Sequence, residues 1–339
     1  MLVPIILISG SKLIKIIPKI FVNFALILNR NRIYHNMGKK QMSRKDFFAK
    51  AFTGIAGISL LSEHLSVFSS SDVQLRSIGK TGIMVSPICF GAPRTNEESL
   101  VKYALDKGLN FIDTGQSYGN GNNERLVGSA TTGMRKKVVI QTKIRMDENE
   151  LPSKGKGKKG AEEIRKVLSA KLETSLKSLN TDYIDVLLIH DANNENLLFH
   201  SETMNFFAEM KKSGIIKAHG FSTHNDKMNL PERNNSEAFY DVIMVPFNFK
   251  GSFVHSLTGN YSEWNQEKLI SILTAAGNKG IGVIAMKTCS GGKYSPSPDI
   301  EPSYKESVLW VLKHKFISSA AIAMANFEQV DEHTGWLKA

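Results

Sequence analysis

The sequence predicts an α/β fold, a (β/α)8 TIM barrel with a short N-terminal hairpin. From Val73 onward, short apolar runs alternate with segments of helical periodicity, and eight such runs occur in the remaining ~265 residues. The runs are almost continuously apolar, which is typical of strands that helices cover on both faces of a parallel sheet. Closure into a barrel suits this length and this number of strands best.

The elements follow one another in a regular order. The hairpin is predicted at Leu75–Val85, where Gly79 and Gly82 frame a tight turn. Eight strands follow it, at Pro87–Gly91, Leu109–Asp113, Lys137–Thr142, Ile184–His190, Ile216–Phe221, Asp241–Val245, Gly282–Met286 and Ser319–Met324. Helices are predicted at Asn96–Lys107, Asn123–Thr131, Ala161–Leu179, Ser201–Ser213, Asn265–Asn278, Ser303–Lys313 and from Phe327 onward. Gly108 and Gly214 close two of these helices as C-terminal caps.

A doubly wound open sheet is the competing arrangement. Such a sheet should carry a glycine-rich phosphate turn directly after its first strand. The nearest candidate, Gly119-Asn120-Gly121, follows the second strand and lacks the third glycine. The barrel is therefore the preferred fold.

Charge and cysteine content argue against two classes of function. Residues 1–41 hold seven Lys or Arg and no acid, so the rest of the chain carries +4 of the formal charge of +11. This mild excess does not indicate a nucleic-acid-binding protein. The two cysteines, Cys89 and Cys289, share no metal-ligand spacing, so neither a disulfide framework nor a metal site is expected.

Residues 1–71 are predicted to be a leader, and residues 72–339 the barrel domain. A charged start at Met42–Lys50, the mildly apolar run Ala51–Leu61 and a serine-rich tail together resemble a twin-arginine export leader of bacteria. Lys45 stands where the second arginine belongs, and no Ala-x-Ala cleavage site follows. An exported, periplasmic protein is therefore one expectation. The other is a cytoplasmic protein with a disordered or membrane-touching N-terminus, and any membrane contact is expected only there.

Four ionisable side chains follow the predicted strands at the end that forms the active face of such barrels. Asp113 ends the second strand, Lys143 follows the third and His190 ends the fourth. The loop after the second strand adds Tyr118. Taken alone, each residue has a structural explanation, as a cap, a packing anchor, a surface lysine or a core histidine. Their convergence on one mouth instead predicts an active site.

These residue types suit the reduction of a carbonyl group. The phenol of Tyr118 can donate a proton to the developing alkoxide if a positive neighbour stabilises its phenolate. Lys143 can be that neighbour, and Asp113 can keep the lysine charged and oriented. His190 can hydrogen-bond the carbonyl oxygen and fix the substrate geometry.

The same residues, in this order, resemble the catalytic tetrad of the aldo/keto reductase superfamily. Flanking motifs support the resemblance, which extends from Leu75 to Trp336: Gly79–Gly82, Phe90-Gly91, Asn110–Asp113, Leu176–His190, Gly220–Ser222 and Gly282–Met286. The resemblance implies reduction of an aldehyde or ketone with NADPH or NADH as the hydride donor. The alternative is a non-catalytic barrel that binds a dinucleotide, senses redox state and contacts a partner protein.

The resemblance also implies a set of cofactor-binding residues. Ser222 matches the position that holds the nicotinamide carboxamide. The backbone of Ser290, Gly291 and Gly292 would approach the pyrophosphate. Gln329 and His333 match adenine-contacting positions after the eighth strand.

The chain departs from the family pattern at several positions. Met244 replaces a glutamine that helps hold the carboxamide, and Met286 stands where an aromatic residue often stacks on the nicotinamide. Phe327 lies where many members place a basic residue for a 2′-phosphate, so no preference for NADP is implied. Few residues follow Trp336, so the pocket is expected to be open. The basic segment 154–160 is expected to be a flexible loop or, alternatively, a lid that attracts anions.

Overall fold

The computed structural model describes residues 73–224, 228–255, 258–289 and 303–338. Eight parallel strands close into a barrel in which each strand pairs with the next along the chain and the last pairs with the first. They are β3 (Ile88–Gly91), β4 (Phe111–Asp113), β5 (Val139–Ile144), β6 (Ile184–Ile189), β7 (Ile216–Ser222), β8 (Val242–Pro246), β11 (Gly282–Met286) and β12 (Ile317–Ala323). The predicted fold class is confirmed. The predicted leader lies outside the described residues.

Helices cover the strands on the outside of the barrel. They are α1 (Glu98–Asp106), α2 (Asn122–Ala130), α3 (Gly157–Ser178), α4 (Glu195–Leu198), α5 (Ser201–Lys212), α6 (Asn229–Glu237), α7 (Gln266–Asn278), α8 (Tyr304–Leu312) and α9 (Phe327–Gly335). None of the helices in these described ranges is both long and apolar enough to cross a membrane.

Two hairpins accompany the barrel. The predicted one consists of β1 (Arg76–Ser77) and β2 (Met84–Val85), which pair antiparallel. It is fixed to the barrel because the Arg76 guanidinium donates to the carbonyl oxygens of Ile317 and Leu312 at 3.1 and 2.9 Å. The other, β9 (Ser252–Val254) with β10 (Tyr261–Glu263), lies in a segment where no strand was predicted.

The start of α3 corrects the prediction for the basic segment. The helix was predicted from Ala161, but it begins at Gly157, so the second half of segment 154–160 is helical. A Cβ atom at Gly160 would lie 2.1 Å from the carbonyl carbon of Gly155, so only glycine permits this tight entry. Glu163 fixes the segment further by accepting hydrogen bonds from the amide and hydroxyl of Ser153. The prediction of a flexible loop was therefore wrong for residues 157–160.

The barrel interior is filled by buried apolar side chains from most of its strands. They include Cys89, Phe111, Val186, Leu188, Ala218, Val242, Met244 and Ile284. Ile78 and Val85 of the first hairpin belong to the same cluster, so the hairpin closes the end of the barrel opposite the active face. This packed interior leaves the C-terminal strand ends as the place for a site.

Candidate active site

Three neighbouring strands and one turn bring the four predicted catalytic residues together. Asp113 is the last residue of β4, Lys143 lies in β5, and His190 follows β6 directly. Tyr118 begins a short turn that leads into α2. The turn contains three successive positive φ angles, 55°, 53° and 81°, at residues 119–121, which explains its glycines.

Lys143 is the centre of the site. Its side chain is 1% exposed. Its Nζ donates to Asp113 Oδ1 at 2.6 Å, to the carbonyl oxygen of Thr114 at 2.7 Å and to Tyr118 Oη at 3.2 Å. The lysine therefore connects the carboxylate to the phenol, as the sequence predicted.

The charges of the site act on one another at short range. Burial alone would lower the pKa of Lys143, but Asp113 and Tyr118 raise it on balance, so the ammonium stays charged. Burial raises the pKa of Tyr118 above its ordinary value, and Lys143 counteracts part of this rise. The phenol is therefore protonated at neutral pH, with a cation beside the oxygen that would lose the proton.

His190 is a neutral hydrogen-bonding group in this site. Burial and the charges of Lys143 and Arg145 lower its pKa to about 3. Its ring stands edge-on to that of Tyr118 with 5.5 Å between the centroids. Its Nδ1 lies 3.3 Å from Ser117 Oγ, so when that hydroxyl donates to Nδ1 the proton sits on Nε2. Nε2 can then donate to a carbonyl oxygen.

A charged rim lies beside these residues. Asp191 pairs with Arg145 at 3.0 Å and with His224 at 3.5 Å. Burial lowers the pKa of Lys287, which follows β11, and Asp191 raises it in part. This rim brings more basic than acidic groups to the mouth of the barrel, a distribution that favours anionic groups in ligands.

Three charged groups at this face were not predicted from the sequence. Arg145 lies two residues after Lys143, Asp191 directly after His190, and Lys287 directly after β11. All three follow strands, so the rule that located the catalytic candidates could have found them. They were not selected as functional candidates because single charged residues beyond a strand are common on protein surfaces.

Residues at the same face fit a ligand that carries an amide and phosphates. The buried Ser222 hydroxyl oxygen accepts a hydrogen bond from the backbone amide of Asp191 at 2.9 Å, and its own proton remains available for donation. Lys287 offers a half-buried ammonium, and the first turn of α9 offers backbone amides close to the end of β12. Hydroxyl, ammonium and helix-terminal amides suit a carboxamide and a pyrophosphate.

The two adenine candidates differ in their surroundings. Gln329 is half-buried in the first turn of α9, where its Oε1 accepts the amide of Ala325 at 2.8 Å. His333 is buried against Trp336 with 4.5 Å between the rings, and burial lowers its pKa to about 4. Ser290, Gly291 and Gly292 lie outside the described residues.

The three departures from the family pattern also have definite environments. Met244 is buried in the barrel interior, and Met286 packs against the same cluster. Phe327 is 39% exposed and stands edge-on to Tyr103 with 5.0 Å between the rings. The described residues contain no group of three or more side chains suited to a metal ion.

Comparisons with known proteins agree on one family. The model of the aldo/keto reductase family matches residues 90–335. L-galactose dehydrogenase of Arabidopsis thaliana is 26% identical over 304 residues, which cover 77% of this chain and 87% of the relative. Aldo-keto reductase YhdN of Bacillus subtilis is 32% identical over 166 residues, which cover 44% of this chain and 47% of the relative. The chain thus spans about half the length of this second relative.

Solved structures share the fold. An aldo-keto reductase from Klebsiella pneumoniae, in complex with NADPH, superimposes with a TM-score of 0.59 at 20% identity. The superposition covers 79% of this chain and 90% of that one.

Proposed function

This chain belongs to the aldo/keto reductase family, and we propose that it reduces an aldehyde or ketone to an alcohol, with NADPH or NADH as the cofactor and Tyr118 as the general acid. The observation that carries the proposal is the double contact of Lys143. One buried ammonium lies 2.6 Å from Asp113 Oδ1 and 3.2 Å from Tyr118 Oη. A tyrosine that gives up its proton beside this ammonium leaves a phenolate paired with a cation.

The remaining residues would bind and orient the carbonyl group. Tyr118 Oη and the Nε2 proton of His190 can both reach one carbonyl oxygen, because the two rings stand edge-on with 5.5 Å between their centroids. As the oxygen gains negative charge, these two donors stabilise it without having to reorganise. Asp113 keeps Lys143 charged throughout.

A bound nicotinamide dinucleotide supplies the hydride, which no side chain can provide. Ser222 would hold its carboxamide, and Lys287 with the start of α9 would face its phosphates. The NADPH complex of the Klebsiella pneumoniae relative supports this class of cofactor. Both NADPH and NADH belong to the test because Phe327 contributes no cation for a 2′-phosphate.

The test measures oxidation of NADPH and NADH with a panel of aldehydes and ketones. The wild-type protein should turn over at least one of them. Tyr118→Phe removes only the hydroxyl group and should lower kcat by roughly 10²- to 10⁴-fold, the usual contribution of general acid–base catalysis, while cofactor affinity is kept. Full activity of Tyr118→Phe would refute the role of the phenol. Cofactor binding without any turnover by the wild type would favour the non-catalytic barrel.

We further propose that residues 1–71 direct export of the protein. Their charged start, apolar run and serine-rich tail support this, whereas Lys45 at the position of the second arginine weighs against it. The N-terminal sequence of the mature protein and its fraction in the periplasm test the proposal. A protein that stays in the cytoplasm with residues 1–71 intact would refute it.

A further inference from the structure

A glutamine lies in the barrel interior directly beside the ion pair of the site. Gln141 precedes Lys143 by two residues on β5, so both side chains point inward, and Gln141 is fully buried. Its Nε2 donates to Asp113 Oδ1 at 2.7 Å and lies 3.5 Å from Met244 Sδ. Asp113 Oδ1 therefore accepts hydrogen bonds from both Lys143 and Gln141.

This glutamine is costly as a packing residue. Its Oε1 is buried and has no hydrogen-bond partner among the residues that the structure describes. An unpaired buried acceptor lowers stability, and branched aliphatic side chains normally fill such barrel layers. A leucine would fill similar space without that cost. The charge-assisted bond to the carboxylate is the favourable contact that a leucine could not make.

We propose that Gln141 is a positioning residue for the reduction: it holds the Asp113 carboxylate so that Oδ1 faces Lys143, and thereby keeps Lys143 beside Tyr118. This inference rests on the proposed function. Without the amide, Lys143 would be the only side chain in the described part of the chain that is bonded to Oδ1, and the carboxylate could rotate about its χ2 angle. Lys143 would follow the carboxylate, and its 3.2 Å contact with Tyr118 Oη would lengthen.

The titratable groups around Gln141 should not complicate the pH dependence of activity in variants at that position. Cys89 faces it from β3, and burial raises the pKa of its thiol far above neutrality. His190 faces it from the end of β6, with a pKa lowered to about 3. Burial raises the pKa of Tyr118, which faces it from the turn after β4, and that of Glu124 in α2. All four groups are also present in the variants below, so any new titration belongs to the substituted position.

The first test is Gln141→Leu, which keeps the side-chain volume and removes the donor. We expect kcat to fall roughly tenfold to a hundredfold through loss of orientation, while the cofactor Kd stays within about twofold. Val186→Ala is the matched control, since Val186 is paired with Gln141 in the sheet register. The substitution opens a cavity without removing a hydrogen bond. It should lower Tm and leave the pH profile of kcat/KM unchanged. A loss of Tm with unchanged kcat in Gln141→Leu would overturn the proposal.

The second test is Gln141→Glu, which changes one group without changing the shape of the side chain. When protonated, the introduced carboxyl group can donate to Asp113 Oδ1 and replace the lost bond. When ionised, it repels Asp113 and competes for Lys143. Activity should therefore approach that of the wild type at low pH and fall as pH rises through the pKa of the introduced group, which burial and Asp113 raise. A profile parallel to that of the wild type would overturn the proposal.

A third measurement separates this inference from the proposed function. Lysine labelled with ¹⁵N gives a signal for the Lys143 ammonium, assigned by its loss in Lys143→Met, and needs no substrate. Its protons should exchange with water several-fold faster in Gln141→Leu than in the wild type, because one of the three acceptors of the ammonium, the Asp113 carboxylate, is no longer held in place. Unchanged exchange would overturn the positioning role. A wild type without turnover would instead refute the proposed function, whatever the exchange rates.

Discussion

At the scale of single residues, the site depends on a charged pair held inside the protein. Removing an ammonium and a carboxylate from water is costly unless their remaining hydrogen bonds are satisfied. Lys143 meets this condition through Asp113, Thr114 and Tyr118. Asp113 receives a further bond from Gln141. The site is therefore rigid before any ligand binds, which favours catalysis by preorganised groups.

This pair predicts an asymmetry in stability. Lys143→Met leaves the Asp113 carboxylate buried without its cation and should lower the free energy of unfolding by about 3–5 kcal/mol. Adding Asp113→Asn removes the unpaired charge, so the double variant should be more stable than Lys143→Met alone. Urea denaturation measures both, with a constant m value as the check on two-state unfolding. A double variant no more stable than Lys143→Met would show that the unpaired charge is not the source of the loss.

The sequence predicted the tetrad because each of its members stands at a strand end or in the following loop. Gln141 was not predicted, since a single glutamine within Val139–Ile144 does not reveal which side chain it meets on the neighbouring strand. Its partner Asp113 lies 28 residues away in the chain. Only the register of β4 against β5 places Asp113 opposite Gln141. Contacts of this kind depend on strand pairing and not on local pattern.

At the scale of elements, close packing determines the residue at position 128 of α2, the helix that follows the Tyr118 turn. The helix follows the turn of residues 118–121 and lies against the end of α3. A Cβ atom at Gly128 would lie 2.6 Å from the carbonyl carbon and oxygen of Leu179. Glycine is therefore required where α2 approaches the chain after α3.

Substitution of this glycine should reverse the usual effect of alanine in a helix. Gly128→Ala should destabilise the protein by roughly 1–3 kcal/mol, because the methyl group meets backbone that cannot move away easily. Gly335→Ala at the end of α9 is the matched control, since its added Cβ would have no described atom within 4 Å apart from its chain neighbours and the backbone of its own helix. It should be neutral or stabilise by up to about 1 kcal/mol. Thermal unfolding of both variants tests this, and equal Tm values would contradict the packing explanation.

The elements that the sequence missed have weak local signals. No helix was predicted between the fifth and sixth strands, where α6 occupies Asn229–Glu237. Its sequence contains three asparagines and a proline, which are poor helix formers. Tertiary contacts stabilise it instead: Asn234 donates to the carbonyl oxygen of Tyr240, and Asn235 to that of Ile272. Local propensity could not indicate this helix, because its stability comes from these contacts.

At the scale of the whole molecule, closure of the barrel gives the site its composition. Parallel pairing of each strand with the next brings the ends of β4, β5, β6 and β7 to one face. Strand number and order were predictable, since nearly every strand is an apolar run bounded by polar or glycine residues. Arg145, Asp191 and Lys287 of the rim also follow strands, but they stand out less, because single charged residues beyond a strand are common on protein surfaces. The sequence therefore predicts the reaction class better than the substrate.

Three histidines with lowered pKa values should make the whole fold sensitive to mild acid. Burial lowers the pKa of His190 to about 3, and those of His219 and His333 to about 4. In the unfolded chain a histidine has a pKa near ~6.5, so between these values the unfolded state binds more protons than the native state. Stability is therefore complete above about pH 6.5 and is lost as pH falls towards 4, by a few kcal/mol in order of magnitude for the three together.

The contribution of one histidine can be isolated by substitution. His219 is buried among aromatic rings, with Phe239 at 4.7 Å between centroids, so His219→Phe keeps an aromatic side chain there and removes the titration. The variant should lose less stability than the wild type between pH 6.5 and 4, whatever its stability at pH 7. His333→Phe should add an independent reduction of the same sign. Urea denaturation across this pH range measures both variants. If the free energy of unfolding of His219→Phe depended on pH as steeply as that of the wild type, His219 would not be a group that gains a proton on unfolding.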